Sequence, residues 1–359
     1  MRLIPFYLIA LIFVACQPTE PSTETTETTD KIPIKVVVLA MFERGQDTGD
    51  GPGEFQLWVE RLPLSDSLPF PQGYRQLRYN PDKGVLGMVT GVGTAKAAAS
   101  VMALGMDPRF DLSQAYWVIA GIAGIDPQDA STGSAAWAEW VVDGDLGHEI
   151  DPREAPADWT TGYIPLRKSE PYQEPRPQNN EGVVYQLNSP LVNWAYELTK
   201  DLELMDNEEI QAMRSQFSEY PRAQTAPRVM KGDQLAAMTY WHGELLNQWA
   251  NDWTEYWTGG AGNFVTSAME DTGSLQALTF LDQADLVDVQ RVLVLRTGSN
   301  FTMQHSGITA AESLAGEKLK GGGYSAYVPA IEAAYLVGST VVNELVAKWE
   351  EYGEELPTR

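Results

Sequence analysis

The sequence predicts an α/β fold, a three-layer sandwich, and two observations carry that expectation. Short β-branched apolar runs recur along the chain, and stretches of high helix propensity separate them. Strand, helix and strand in alternation describe a sheet covered by helices. The absence of any repeat of fixed period argues against a solenoid or a propeller. IKVVVLAM (34–41) reads as the first buried strand, and GVLGMVTGV (84–92) and AYWVIAGIAGI (115–125) repeat the type. TAKAAASVMALGM (94–106) reads as a helix that stops before Asp107-Pro108. RVLVLRTG (291–298) is a later strand, and SAYVPAIEAAYLVGSTVVNELVAKWEEYG (325–353) reads as one or two amphipathic C-terminal helices. Residues 152–227 differ, because Pro152, Pro156, Pro165, Pro171, Pro175 and Pro177 break any long element. That stretch reads as a decorated insertion within one domain spanning residues 31–359, not as a domain of its own.

Composition narrows the function. With 43% hydrophobic and 21% charged residues the chain has enough apolar material for a core. Its 49 Asp+Glu against 25 Lys+Arg give a net charge of -24, which repels nucleic acid and anionic lipid and leaves small neutral ligands as partners. The single cysteine, Cys16, excludes an internal disulfide, a Cys-rich zinc site and a thiol nucleophile in the folded body. Cys16 ends a targeting segment: Arg2 is followed by an apolar run from Leu3 to Val14 that is too short to span a bilayer comfortably. FVAC resembles the lipobox of bacterial lipoproteins, which implies cleavage before Cys16 and lipidation of its thiol; an ordinary cleaved signal peptide is the alternative. Residues 17–30, QPTEPSTETTETTD, read as a disordered, solvated tether, and the lipoprotein resemblance implies that Gln17 after the cysteine routes the chain to the outer membrane. The expectation is an exported bacterial lipoprotein on the periplasmic side of that membrane, held by its lipid anchor only. No later window approaches eighteen uninterrupted apolar residues.

Most motifs with a known mechanism are missing. TGVGTAKAAA places Gly91 and Gly93 in a turn between a strand and a helix, but Lys96 stands where a dinucleotide fingerprint needs its third glycine. The turn suits either amides that approach an anion or hydroxyl, or simply a backbone that needs positive φ. There is no P-loop, no G-x-S-x-G and no H-E-x-x-H. His148, His242 and His305 are far apart, and HEID (148–151) supplies one nitrogen at poor spacing, so no metal and no cofactor is expected. Trp241, Trp249, Trp253 and Trp257 fall at helical spacing, as either a stacking stripe for a ring-shaped ligand or packing aromatics.

Six short segments taken in order carry a resemblance: VVVLAMFERG, GVGTAKAAA, VIAGIAGI, VMKGDQL, SAMEDTG and LRTGSN. Together they resemble the purine nucleoside phosphorylase and nucleosidase superfamily, and MEDTG with DGDLGHEID (143–151) resembles its purine nucleoside permease family. The resemblance covers nearly all of residues 34–348. It implies a mixed central β-sheet of the nucleoside phosphorylase type, purine nucleosides as ligands with inosine and guanosine favoured, and a homo-oligomer. It also implies cleavage of the N-glycosidic bond, by hydrolysis or by phosphorolysis with inorganic phosphate as co-substrate, in support of nucleoside uptake. The alternatives are a non-catalytic component that delivers nucleosides to an inner-membrane transporter, and an envelope protein that has lost the site.

The resemblance also assigns residues. Cleavage passes through an oxocarbenium-like sugar, which calls for a grip on the ribose hydroxyls and for negative charge near the developing cation. Glu270 stands at the family's ribose-binding position, with Met269 under the sugar. Asn300 stands against the purine, where an amide suits a 6-oxopurine but cannot donate a proton as an acid. Gly91, Gly93, Gly121 and Gly124 belong to the nucleoside-binding turns. Leu235 replaces the aromatic that usually stacks on the base, leaving Tyr240 or Trp241 for that role. Val118 and Gly121 stand where phosphorylases carry Arg and Ser, which weakens phosphorolysis. Arg44 remains as an anion ligand, and Glu43 falls near the residue that positions water in the hydrolytic branch.

Overall fold

The computed structural model describes residues 31–177, 182–319 and 326–358. Cys16 and the lipidation and tether expectations lie outside the described residues. Twelve strands form one mixed sheet, and its centre is set by the most apolar runs of the sequence. In chain order they are β1 (Val36–Ala40), β2 (Asp66–Leu68), β3 (Leu77–Asn80), β4 (Val85–Val89), β5 (Tyr116–Ile125) and β6 (Ala135–Ala138). There follow β7 (Trp140–Asp143), β8 (Val184–Gln186), β9 (Val229–Lys231), β10 (Asp233–Ala236), β11 (Phe264–Ala268) and β12 (Val292–Phe301). The path across the sheet runs β8, β7, β10, β11, β5, β1, β4, β3, β2, while β12 branches from β5 and pairs in turn with β6, which pairs with β9.

β5 is the hub. It runs parallel to β1 from Tyr116 to Ile119, parallel to β12 over most of its length, and antiparallel to β11 at Gly124 and Ile125. The β5–β12 ladder skips a residue between Gly298 and Asn300, so Ser299 is a bulge. A bulge re-aims the side chain beside it, and here that residue is Asn300.

The helices are α1 (Gln56–Arg61), α2 (Thr94–Gly105), α3 (Ser189–Thr199), α4 (Glu208–Ser215), α5 (Glu244–Thr258), α6 (Asp271–Asp282), α7 (Ala310–Leu319), α8 (Tyr327–Ala347) and the short α9 (Trp349–Tyr352). α2 and α6 pack on each other so closely that a Cβ at Gly273 would overlap the Thr94 backbone. Only glycine fits this contact. α8 lies on β5 and β12, flanked by α1 and α3, and its Gly338 meets the indole of Trp58. Among the described residues α8 alone is long and apolar enough to cross a membrane, with mean hydropathy 1.2, and 56% of that stretch is buried within the protein.

Each expected strand and helix is present, most of them trimmed by a few residues at the ends, while the strand expected at 291–298 runs on to Phe301. The insertion region contains more order than its prolines suggest. They confine Tyr163–Pro165 to a short strand, but beyond them Asn188 caps α3 by accepting the Leu191 N–H at 3.1 Å. α3 buries Leu191, Val192, Trp194 and Ala195 in the main core. The tryptophan stripe of α5 is packing: Trp249, Trp253 and Trp257 are buried in an aromatic cluster, with Trp241 against Trp249 and Phe264.

Candidate active site

A cavity of about 390 Å³ opens where β1, β5 and β11 end and where β12 carries its bulge. Its wall includes Met41, Phe42, Val92, Ile122, Ala123, Gly124, Ala268 and Met269 as the apolar part. Glu54, Glu270, Asn300, Tyr240, Tyr327, Ser267, Ser299 and Arg44 are the polar part. A mainly apolar cleft with a few converging polar groups suits a small ligand with a ring and several hydroxyls. The sheet explains the location, because the strand ends release backbone N–H groups that no ladder uses.

Glu270 is 4% exposed and sits just before α6. Its Oε1 accepts the Gly93 N–H at 3.2 Å, and its Oε2 accepts the Met269 N–H at 3.2 Å and Arg296 Nη2 at 3.1 Å. Burial raises its pKa, Arg296 opposes that, and Asp271 adds to it. The glycine turn thus serves the carboxylate: Gly93, at φ 96°, leads into α2 and aims its amide at Glu270.

The second carboxyl group on the wall is Glu54, which sequence reasoning missed. Its Oε2 accepts the Met41 N–H and its Oε1 the Ile122 N–H, both at 2.7 Å. Burial pushes its pKa up to about 8, against the pull of Arg296 and with a further push from Glu270. Gly121 makes room for this arrangement: a Cβ there would lie 2.5 Å from Arg296 Nη1 and 2.6 Å from Glu54 Oε1. Gly121 therefore stands behind the wall, and Gly124 is the glycine of this strand that lines the cavity.

Arg296, also unforeseen, is 1% exposed inside β12. Its Nε and Nη2 grip Asp271 at 3.1 and 2.6 Å, Nη2 also reaches Glu270, and Nη1 donates to the Ile122 carbonyl at 3.2 Å. Burial opposes its charge, but Asp271, Glu270 and Glu54 more than offset this and raise its pKa. The signal in the sequence was a lone arginine within an otherwise apolar strand, since such a charge is buried only with partners.

Asn300 lies on the cavity wall with its amide already oriented. Its Nδ2 donates to the Tyr240 hydroxyl at 3.0 Å and to the Phe301 carbonyl at 3.1 Å, and its Oδ1 accepts from Ser299 at 3.0 Å. Tyr240 belongs to the wall; Trp241 does not, being held in the aromatic cluster. Met269 lines the cavity, and Gly91, at φ 86°, shapes the turn behind Val92.

Glu43 takes a different place from the one expected. Its two oxygens accept the N–H groups of Arg44, Gly53, Phe55 and Gln56, so it pins the loop that leads into α1. It is absent from the cavity wall, and Glu54, at the far end of that loop, holds the wall position. Arg44 is exposed at the cavity, its guanidinium 5.5 Å from the centre of the Tyr327 ring. Tyr327 in turn donates to the Pro52 carbonyl at 2.9 Å. Val118 is fully buried in β5 and offers nothing to an anion. His148 and Glu149 are exposed on a separate short strand.

A larger, more open recess of about 830 Å³ runs along α2 and α6. The carboxylates on its wall, Asp143 and Asp145, are engaged by Thr272 and by backbone amides, and among the described residues Arg167 of the same wall makes no ion pair with them. The smaller cavity is the one with a chemical arrangement.

Comparison with known proteins agrees with this architecture. A futalosine hydrolase of Helicobacter pylori superposes with TM-score 0.51 at 12% identity, over 87% of this chain and 98% of that one. A 5'-methylthioadenosine/S-adenosylhomocysteine nucleosidase of Streptococcus pneumoniae does so with TM-score 0.50 at 14% identity, over 88% and 99%. These likenesses fix the nucleoside phosphorylase-like fold. In sequence, a probable purine nucleoside permease of Schizosaccharomyces pombe is 32% identical over 284 residues, covering 77% of this chain and 80% of the relative. A purine nucleoside permease of Candida albicans is 27% identical over 327 residues, covering 89% and 77%. Such relatives are yeast proteins, and this overturns the expectation of a bacterial lipoprotein on the periplasmic side of an outer membrane. A family model described as purine nucleoside permease matches residues 33–357, and the chain belongs to that family.

Proposed function

We propose that the cavity binds a purine nucleoside and that the protein hydrolyses its N-glycosidic bond as a step in nucleoside uptake. The observation that carries this reading is the placement of two buried carboxyl groups, Glu54 and Glu270, on the wall of one cavity, with Arg296 paired to Glu270 and its charge felt by Glu54. Glu270, held by two amides and the guanidinium, has the character of a fixed acceptor for sugar hydroxyls. Asn300 and Tyr240 face the base, and Met269 and Met41 supply apolar contact. With a pKa of about 8, Glu54 is close to the operating pH of a general base. In the reaction, the bond from the anomeric carbon to the base nitrogen breaks and its electron pair leaves with the purine. The oxygen of water bonds to the anomeric carbon, one water proton passes to Glu54, and the base takes a proton from solvent. Glu270 and Glu54 stabilise the cationic sugar between these events.

Water is favoured over phosphate as nucleophile on electrostatic grounds. The wall carries two carboxyl groups, Arg296 is already saturated by carboxylates, and Arg44 is the cation that remains at the cavity among the described residues. A phosphate dianion meets the Glu270 carboxylate there, and the ionised Glu54 as well above about pH 8.

E54Q tests the assignment. It retains purine nucleoside binding, measured by calorimetry, while release of free base falls by about 10²–10⁴-fold, the range of a positioned general base. Wild-type release rises with pH and levels off above about 8, as Glu54 ionises. Unchanged release in E54Q contradicts the reading, and saturable binding without release in the wild type points instead to a nucleoside carrier.

A further inference from the structure

We propose that Asp271 is a positioning residue, which holds the Arg296 guanidinium back from the cavity so that Glu270 and Glu54 keep their geometry and charge toward the ligand. This rests on the reading of the cavity as a nucleoside hydrolysis site. Asp271 is fully buried and is not part of the cavity wall. It is the first residue of α6, where the free N–H groups of the helix favour a carboxylate. Both of its oxygens meet Arg296 in the two-pronged geometry that suits a guanidinium, at 3.1 and 2.6 Å. From behind, the fully buried Gln234 of β10 donates its Nε2 proton to Asp271 Oδ2. The groups therefore form a stack: Gln234, Asp271, Arg296, then Glu270 and Glu54 at the cavity.

The charges in and around this stack are few. Arg296 comes from β12, Glu270 from the end of β11, Glu54 from the loop before α1 and Asp271 from α6. Arg44 and Tyr327 stand at the cavity beside them, and Asp143 of β7 meets α6 separately, through Thr272 at 2.8 Å. Asp271 and Glu270 thus share one guanidinium by direct contact, and Glu54 lies within reach of its charge. If Asp271 did not take part of that charge, Arg296 would fall wholly to the two carboxyl groups that must face the ligand. An ion pair that tight would draw Glu270 away from the sugar hydroxyls and lower the proton affinity of Glu54 below what a base needs.

Infrared titration of the full chain, carrying carbon-13 in the glutamate carboxyl groups and free of nucleoside, tests this without requiring turnover. The protonated-carboxyl band absent from E54Q identifies Glu54. D271N keeps the side-chain shape and removes the charge, and its Glu54 band is expected to titrate lower than the wild type by about one pH unit or more. The acid limb of base release moves down with it. Q234L keeps the charge and removes the donor, which leaves Asp271 to lean harder on Arg296, so its Glu54 titration moves up. That variant decides the matter alone if D271N does not fold. A Glu54 titration unmoved by D271N, or by Q234L where D271N is not folded, overturns the proposal. If the wild type releases no base, the hydrolysis reading fails, and the titration still supports or overturns the role of Asp271.

Discussion

Glu43 and Glu54 sit at the two ends of one loop and do opposite work. Glu43 collects four backbone N–H groups and secures the loop. Glu54 has two amide donors, a cavity in front of it and a raised pKa. E43A leaves those amides unpaired and is expected to destabilise the protein by about 1–3 kcal/mol, read as a lower denaturation midpoint. E54Q has a different signature in stability. The folded state keeps the Glu54 proton up to about pH 8, whereas an ordinary glutamate releases it near 4.5. The native state therefore binds more protons across that window, and the stability of the wild type falls as pH rises through it. Glutamine cannot lose that proton, so the melting temperature of E54Q gains on the wild type between about pH 5 and pH 9. A constant difference across that range contradicts a buried, proton-retaining Glu54.

The elements that build the site are short, and their meeting points carry the chemistry. α6 places Glu270 and Asp271 at its start, and α2 brings the Gly93 amide to Glu270 because Gly273 lets the two helices touch at Thr94. G273A forces them apart and is expected to cost about 1–3 kcal/mol of stability and to weaken nucleoside binding, measured by calorimetry. Strands were legible in the sequence because buried parallel strands are uninterrupted apolar runs, as in VVVLA and YWVIAGIAGI. Glu270, Met269, Asn300 and Tyr240 were legible through ordered motifs, and the structure places all four at one cavity. Glu54 was not, since a loop separates it from the strand whose end it meets, and only folding brings it to the Met41 and Ile122 amides. Helical spacing made Trp241 a candidate, but Trp241 precedes α5 and packs against Trp249 and Phe264, away from the cavity wall. The prolines of 152–177 hid α3, whose apolar face begins only after Asn188.

At the scale of the whole molecule, a chain of net charge -24 offers a neutral nucleoside a site without asking it to cross an opposing field. The family name denotes a permease, yet among the described residues the helix with the length to span a bilayer covers β5 and β12. Its buried face serves the core. The proposed function adds to this family membership and fold the capture of a purine nucleoside and its cleavage by water at Glu54 and Glu270. The most direct measurement follows free purine by chromatography from inosine, guanosine and adenosine, with and without inorganic phosphate. The account predicts time-dependent release that does not need phosphate, faster for the two 6-oxopurine nucleosides. Release that requires phosphate, or none at all despite saturable binding, would contradict it.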